Sequence, residues 1–237
     1  MGKIISAVCA AVISFAAVQA ADIYMAGDST CAVYPADKAP MTGWGQVLQS
    51  FCKPGVKVDD RAVPGSAADS FVRRKHWDKL LASVKSGDFV IIQFGHNDQK
   101  NGKDNVTTVY PATIKKMIAD VRNKGGIPVL VTSVPRARFN RDGSKTVNCG
   151  LQVYHDAMVE IGKETGTEVV DIYPLIREYY DSIGETAALE YYMFTSGVPG
   201  ADKADRTHLK KNGAEKIAAI FVDAAKKGGF KISGLFK

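Results

Sequence analysis

Phe89-Val90-Ile91-Ile92-Gln93-Phe94 runs straight into Gly95-His96-Asn97-Asp98. Such a largely apolar run fits a strand covered on both faces, as in a parallel sheet. Other short apolar runs repeat the pattern. Ile23-Tyr24-Met25 ends in Ala26-Gly27-Asp28-Ser29, Pro128-Val129-Leu130-Val131-Thr132 ends near Ser133, and Glu168-Val169-Val170-Asp171 ends near Tyr173. A shorter strand around Val56-Lys57-Val58 precedes Pro64-Gly65-Ser66. Between these runs, apolar residues at helical spacing predict helices over Ser70 to Val84, Ala112 to Asn123, Leu151 to Thr165 and Gly213 to Lys227. Gly125-Gly126 and Gly166 stand where helices should stop. The alternation predicts one doubly wound α/β domain with a parallel sheet of about five strands. The stretch from Gly184 to Ala204 breaks the rhythm and reads as a long loop near the site.

The N-terminus reads as a signal peptide over residues 1–20. Met1-Gly2-Lys3 is a short positive start, Ile4 to Val18 is uncharged and apolar, and Val18-Gln19-Ala20 offers small residues for cleavage. The mature chain, residues 21–237, is then expected to be secreted or periplasmic, soluble and monomeric. The chain has 237 residues, 46% hydrophobic and 24% charged, which is globular composition and excludes disorder. Its formal charge of +6 falls to about +5 when Lys3 leaves. Arg73-Arg74-Lys75 is the one tight basic cluster and reads as a solvated helix face, so neither nucleic acid nor membrane is an expected partner. Once Cys9 departs, Cys31, Cys52 and Cys149 remain, which permits at most one internal disulfide and leaves its pairing open. No CxxC or Cys/His cluster suggests a metal.

The polar signatures at the strand ends matter because sites in open α/β sheets form there. Gly27-Asp28-Ser29 follows directly on a strand, and its glycine allows a tight turn, although Gly-Asp-Ser turns are common by themselves. A serine nucleophile needs a base. Of the four histidines, His76, His96, His155 and His208, the last stands in Asp205-Arg206-Thr207-His208, where the carboxylate can fold back on one ring nitrogen; the pair reads equally as an Asp/His turn on the surface. Asp205 would fix the tautomer while the other ring nitrogen faces Ser29. Acyl transfer also needs donors for an oxyanion, and the Ser29 N–H, the Gly65 N–H and the Asn97 amide are candidates. Gly65 reads equally as a turn glycine before a helix cap at Ser66. His76 and His155 look structural. His96 and Asp98 flank Asn97, in supporting or purely structural roles.

Gly27-Asp28-Ser29, Gly65, Gly95-x-Asn97-Asp98 and Asp205-x-x-His208 occur in the order of the four blocks of SGNH (GDSL-type) hydrolases, which the chain resembles from Ala26 to Gly213. That resemblance implies a flavodoxin-like three-layer α/β/α sandwich, a Ser-His-Asp triad of Ser29, His208 and Asp205, and an oxyanion hole of Ser29, Gly65 and Asn97. It implies no cofactor. A narrower set resembles rhamnogalacturonan acetylesterases and their bacterial relatives. It comprises Gly43-Trp44-Gly45-Gln46, Phe94-Gly95-His96-Asn97-Asp98, Ser133-Val134-Pro135-Arg136-Ala137-Arg138-Phe139, and Asp205-x-Thr207-His208-Leu209 leading into Gly213-Ala214. The second block departs from the family, with Gly65-Ser66-Ala67 in place of Gly-Arg-Ser.

The implied substrate is an acetylated plant polysaccharide, rhamnogalacturonan first and acetylated xylan second, with a broad esterase or lipase third. Arg136, Arg138 and Trp44 are candidate substrate contacts, since arginine pairs with carboxylates and a tryptophan face suits a sugar ring. They read equally as packing or surface residues. The rival class is a non-catalytic carbohydrate-binding protein, which would not need Ser29, Asn97 and the Asp205/His208 pair together.

Overall fold

In the computed structural model, which describes residues 21–147, 150–195 and 205–237, the Phe89–Gln93 run is the central strand, β3. The sheet contains β1 (Ile23–Gly27), β2 (Val58–Asp60), β3, β4 (Ile127–Val131) and β5 (Glu168–Val170). All pairs are parallel, in the order β2-β1-β3-β4-β5. This is the flavodoxin-like strand order, with β1 and β3 flanking the point where the winding reverses.

Side chains alternate across the sheet and define two cores. Ile23, Met25, Ile91, Val129 and Val131 face one layer, packed with α1 (Trp44–Leu48), α6 (Ile172–Leu189) and α7 (Lys211–Lys227). Tyr24, Ala26, Val90, Ile92 and Leu130 face the other, packed with α2 (Ala68–Arg73), α3 (His76–Ser83), α4 (Val109–Asn123) and α5 (Gln152–Thr165). The result is the three-layer α/β/α sandwich. Every residue of β1 and β3 is buried, which explains why their sequences carry no polar alternation.

Several boundaries differ from the sequence reading. The helix expected over Ser70 to Val84 is two helices, because Lys75 adopts a left-handed φ of 66° between them. The edge strand starts at Val58 and is half-buried throughout. The loop expected from Gly184 begins as a kink, with Gly184 at φ 76°, but Glu185 to Leu189 resume the helix of α6. Residues 196–204 of that predicted loop, the signal segment and Cys149 lie outside the described residues. Pro174 falls in the first turn of α6, where no helical N–H is required, so the helix runs through it. Cys31 and Cys52 are buried free thiols.

Candidate active site

The carboxyl ends of three adjacent strands and the segment leading into α7 converge on one cleft of about 550 Å³. Ser29 arrives on the turn after β1, Gly65 on the loop after β2, and His96 and Asn97 directly after β3. Ser29 and Asn97 are each 8% exposed.

His208 Nε2 lies 3.1 Å from Ser29 Oγ, and His208 Nδ1 lies 2.7 Å from Asp205 Oδ2. A carboxylate only accepts, so Nδ1 carries the proton and Nε2 presents its lone pair to the serine hydroxyl. Asp205 Oδ1 accepts the N–H groups of Thr207 and His208, both at 2.9 Å. Burial pushes the Asp205 carboxyl up, but these hydrogen bonds outweigh it and hold the group below the usual aspartate value. Backbone pairing fixes the segment: Met193 N–H donates to His208 O at 2.8 Å and Thr42 N–H to Leu209 O at 2.9 Å. Such an arrangement can pass a proton from Ser29 to His208 as the oxygen attacks an electrophilic carbon.

Facing it are three potential donors. The N–H groups of Ser29 and Gly65 meet no acceptor among the described residues. Asn97 donates one Nδ2–H to Ser66 O at 3.1 Å and keeps the second. Gly65 has φ 79°, a conformation that favours glycine, so the Gly-Ser-Ala variant of the second block keeps a glycine where the backbone favours one. Ala68 N–H donates to Asp98 Oδ1 at 2.9 Å, which ties the second block to the third.

A family model for GDSL-like lipases and acylhydrolases matches residues 25–216, a stretch that holds all these groups. The chain belongs to the GDSL-like lipase/acylhydrolase family. It is 31% identical to a rhamnogalacturonan acetylesterase of Bacillus subtilis (RhgT), over 89% of this chain and 91% of that protein. Among solved structures, the Bacillus subtilis protein YxiM superposes with a TM-score of 0.76 at 26% identity, over 89% of this chain and 57% of that one. The acetylxylan esterase Axe2 of Geobacillus stearothermophilus shares the fold, with a TM-score of 0.63 at 17% identity over 87% and 94% of the two chains.

In this GDSL-family chain Trp44 is not a cleft residue, which corrects the sequence expectation. It is fully buried, packs on Phe221 with centroids 5.0 Å apart, and donates its indole N–H to Gln93 Oε1 at 2.9 Å. The Gly43–Gln46 motif is a brace for the turn that carries Ser29. A Cβ on Gly43 would sit 2.2 Å from the Cys31 backbone, and Gln46 Oε1 accepts the Tyr34 N–H at 2.9 Å. Arg136 and Arg138 do line the cleft. Arg136 Nε donates to Thr207 Oγ1 at 3.1 Å, and neither arginine pairs with a carboxylate among the described residues. Arg206, by contrast, is paired with Glu185 at 2.5 Å and covers the Phe194 ring.

His96 is neutral support. Its Nε2–H donates to Val134 O at 2.8 Å, its Nδ1 is buried without a partner, and burial lowers its pKa to about 4. His155 pairs with Asp171 and Asp156 in a separate concavity of about 570 Å³. The arginine there, Arg177, is held by Thr146 and Gln152, and the serine there, Ser182, by the Tyr179 carbonyl. None of the described histidines lies within hydrogen-bonding distance of that serine.

Three residues at the site carried no role in the sequence reading. Gln93 accepts from Trp44, Cys31 (2.7 Å) and Thr30 (3.3 Å) beneath the Ser29 turn, Tyr34 donates to Ser29 O at 2.8 Å, and Lys100 donates to Asn97 Oδ1 at 2.8 Å. For Gln93 the signal was a lone amide inside an otherwise apolar strand. Tyr34 and Lys100 left no periodic signal.

Proposed function

We propose that the protein is a serine acetylesterase that removes acetyl groups from an acidic plant cell-wall polysaccharide, rhamnogalacturonan in first place, and is exported behind residues 1–20. The observation that carries the reading is the continuous Asp205–His208–Ser29 chain of hydrogen bonds at 2.7 and 3.1 Å. His208 takes the Ser29 proton as Oγ bonds to the acetyl carbon, and the carbonyl oxygen becomes an oxyanion held by the Ser29, Gly65 and Asn97 donors. The C–O bond to the sugar then breaks and the sugar oxygen leaves with the proton from His208. Water, deprotonated by His208, attacks the acetyl-enzyme, and acetate departs as Ser29 regains its proton.

Two things favour an acidic saccharide. The related Bacillus subtilis enzyme is named for rhamnogalacturonan. Arg136 and Arg138 bring two cations without acidic partners among the described residues to the cleft, where a uronate carboxylate can meet a guanidinium fork.

The test is acetate release from acetylated rhamnogalacturonan, acetylated xylan and a small aryl acetate by wild type and Ser29→Ala. Release from the pectic substrate that vanishes in the variant supports the reading. Release from xylan or the aryl ester alone keeps the chemistry and overturns the substrate. Hydrolysis undiminished in Ser29→Ala overturns the nucleophile, and polysaccharide binding without release would point to a binding protein.

A further inference from the structure

Lys100 stands one tight turn beyond Asn97. Its N–H donates to the Asn97 carbonyl at 3.0 Å, and its side chain folds back so that Nζ donates to Asn97 Oδ1 at 2.8 Å. The same amide donates one Nδ2–H to Ser66 O at 3.1 Å. An ammonium only donates and a carbonyl only accepts, so both neighbours impose one orientation on the amide. A flipped amide would set its NH2 against the ammonium and its oxygen against the Ser66 oxygen. One Nδ2–H is left over, on a side chain that lines the cleft beside Ser29 and Gly65. Lys100 has no carboxylate partner among the described residues that would draw it elsewhere.

We propose that Lys100 is a positioning residue for the oxyanion hole. Its ammonium holds Asn97 by the oxygen and polarises the amide, so that the remaining N–H donates more strongly as negative charge develops on the acyl oxygen. Hydrogen bonds in series polarise one another, and the amide that receives the Lys100 ammonium is itself buried although Lys100 is exposed. The ester carbonyl carries only a partial charge before attack, so the benefit is greatest in the transition state and belongs in kcat rather than KM. The inference rests on the esterase reading. Its rival is a simpler one: Lys100 lines the cleft and, as a cation, contacts an acidic substrate directly.

A neutral aryl acetate separates the two roles, because it has no carboxylate for Lys100 to meet. With this substrate K100M is expected to lower kcat about ten- to thirtyfold with KM within about twofold, less than the hundredfold or more expected for N97A. K100R should recover most of the loss. The double variant N97A/K100M should be no slower than N97A, since without the amide Lys100 has nothing to act through. Lys100 is an exposed residue, so K100M should melt with wild type; if it does not, K100Q carries the same expectation. An unchanged kcat in both uncharged variants, or losses that multiply in the double variant, would overturn the proposal. If Ser29→Ala is inactive in the same assay, that failure belongs to Lys100 alone; if Ser29→Ala still turns over, the esterase reading itself has failed.

Discussion

Asp205 serves His208 twice: one carboxylate oxygen takes the Nδ1–H at 2.7 Å, and the other takes the backbone N–H of the same residue at 2.9 Å. One side chain therefore builds the turn and sets the tautomer of the ring it presents. Asp205→Asn separates these duties. Its amide oxygen can still accept both backbone N–H groups, while its NH2 faces Nδ1 and forces the proton onto Nε2. The base is then unavailable to Ser29, and kcat should fall about 10⁴-fold. The melting temperature should move by only about 2–4 °C, because the turn survives. Initial rates on an aryl acetate check this, and a variant within tenfold of wild type would remove Asp205 from the mechanism.

Gly65 is held at φ 79° with nothing within 4 Å of the position a Cβ would take. Gly65→Ala thus meets no clash and suffers only the left-handed backbone cost, about 1–2 kcal/mol. Relief of that strain turns the Gly65 N–H away from the cleft, so kcat should drop about ten- to hundredfold. Denaturant melts and steady-state kinetics on the same preparation measure both. Loss of stability with kcat intact would leave Gly65 as a turn residue and nothing more.

Trp44 was a candidate sugar platform by sequence and is a core side chain in the fold. Trp44→Ala should cost about 3–5 kcal/mol through the cavity left against Phe221. Trp44→Phe keeps much of that packing and loses the indole donor to Gln93, a change of about 1–2 kcal/mol. Urea unfolding measures these losses. The KM for polysaccharide, measured on folded Trp44→Phe, should match wild type, and a severalfold rise would restore Trp44 to the substrate.

The contrast between Trp44 and His208 shows what this sequence could disclose. Strands β1 and β3 were legible because both faces are covered, so unbroken apolar runs mark them and the polar residues at their ends mark the cleft. The Asp205/His208 pair was legible because a carboxylate three residues before a histidine carries a local mechanism. Trp44 was not, since burial depends on α7 supplying Phe221 far along the chain. The break at Lys75 was hidden inside an apolar period that both α2 and α3 continue. Lys100 and Tyr34 act through single contacts across turns, and periodicity says nothing about those.

The buried acids make stability depend on pH in a direction the fold dictates. Asp60 and Asp98 each carry an Oδ2 that is buried without a partner, and burial pushes both carboxyls up to about 7. An unfolded aspartate titrates near 3.9, so between about pH 4 and pH 7 the folded chain holds protons that the unfolded chain has released. Stability therefore falls as pH rises through that window and levels off above it. His96 opposes this trend: burial lowers it to about 4, against about 6.5 when unfolded, so its contribution rises with pH between those values. The net decline is about one carboxyl's worth up to pH 6.5 and two from there to pH 7. His155 adds to the decline, because Asp171 and Asp156 overcome its burial and hold its pKa above the ordinary value, so its stabilisation is lost as pH rises through that raised value. Thermal melts should give a higher midpoint at pH 5 than at pH 8. The double variant Asp60→Asn/Asp98→Asn should reverse the slope between pH 4 and 6.5, where His96 then acts unopposed. A midpoint that climbs from pH 5 to pH 8 in the wild type would mean that both buried carboxyls are already ionised in the folded chain.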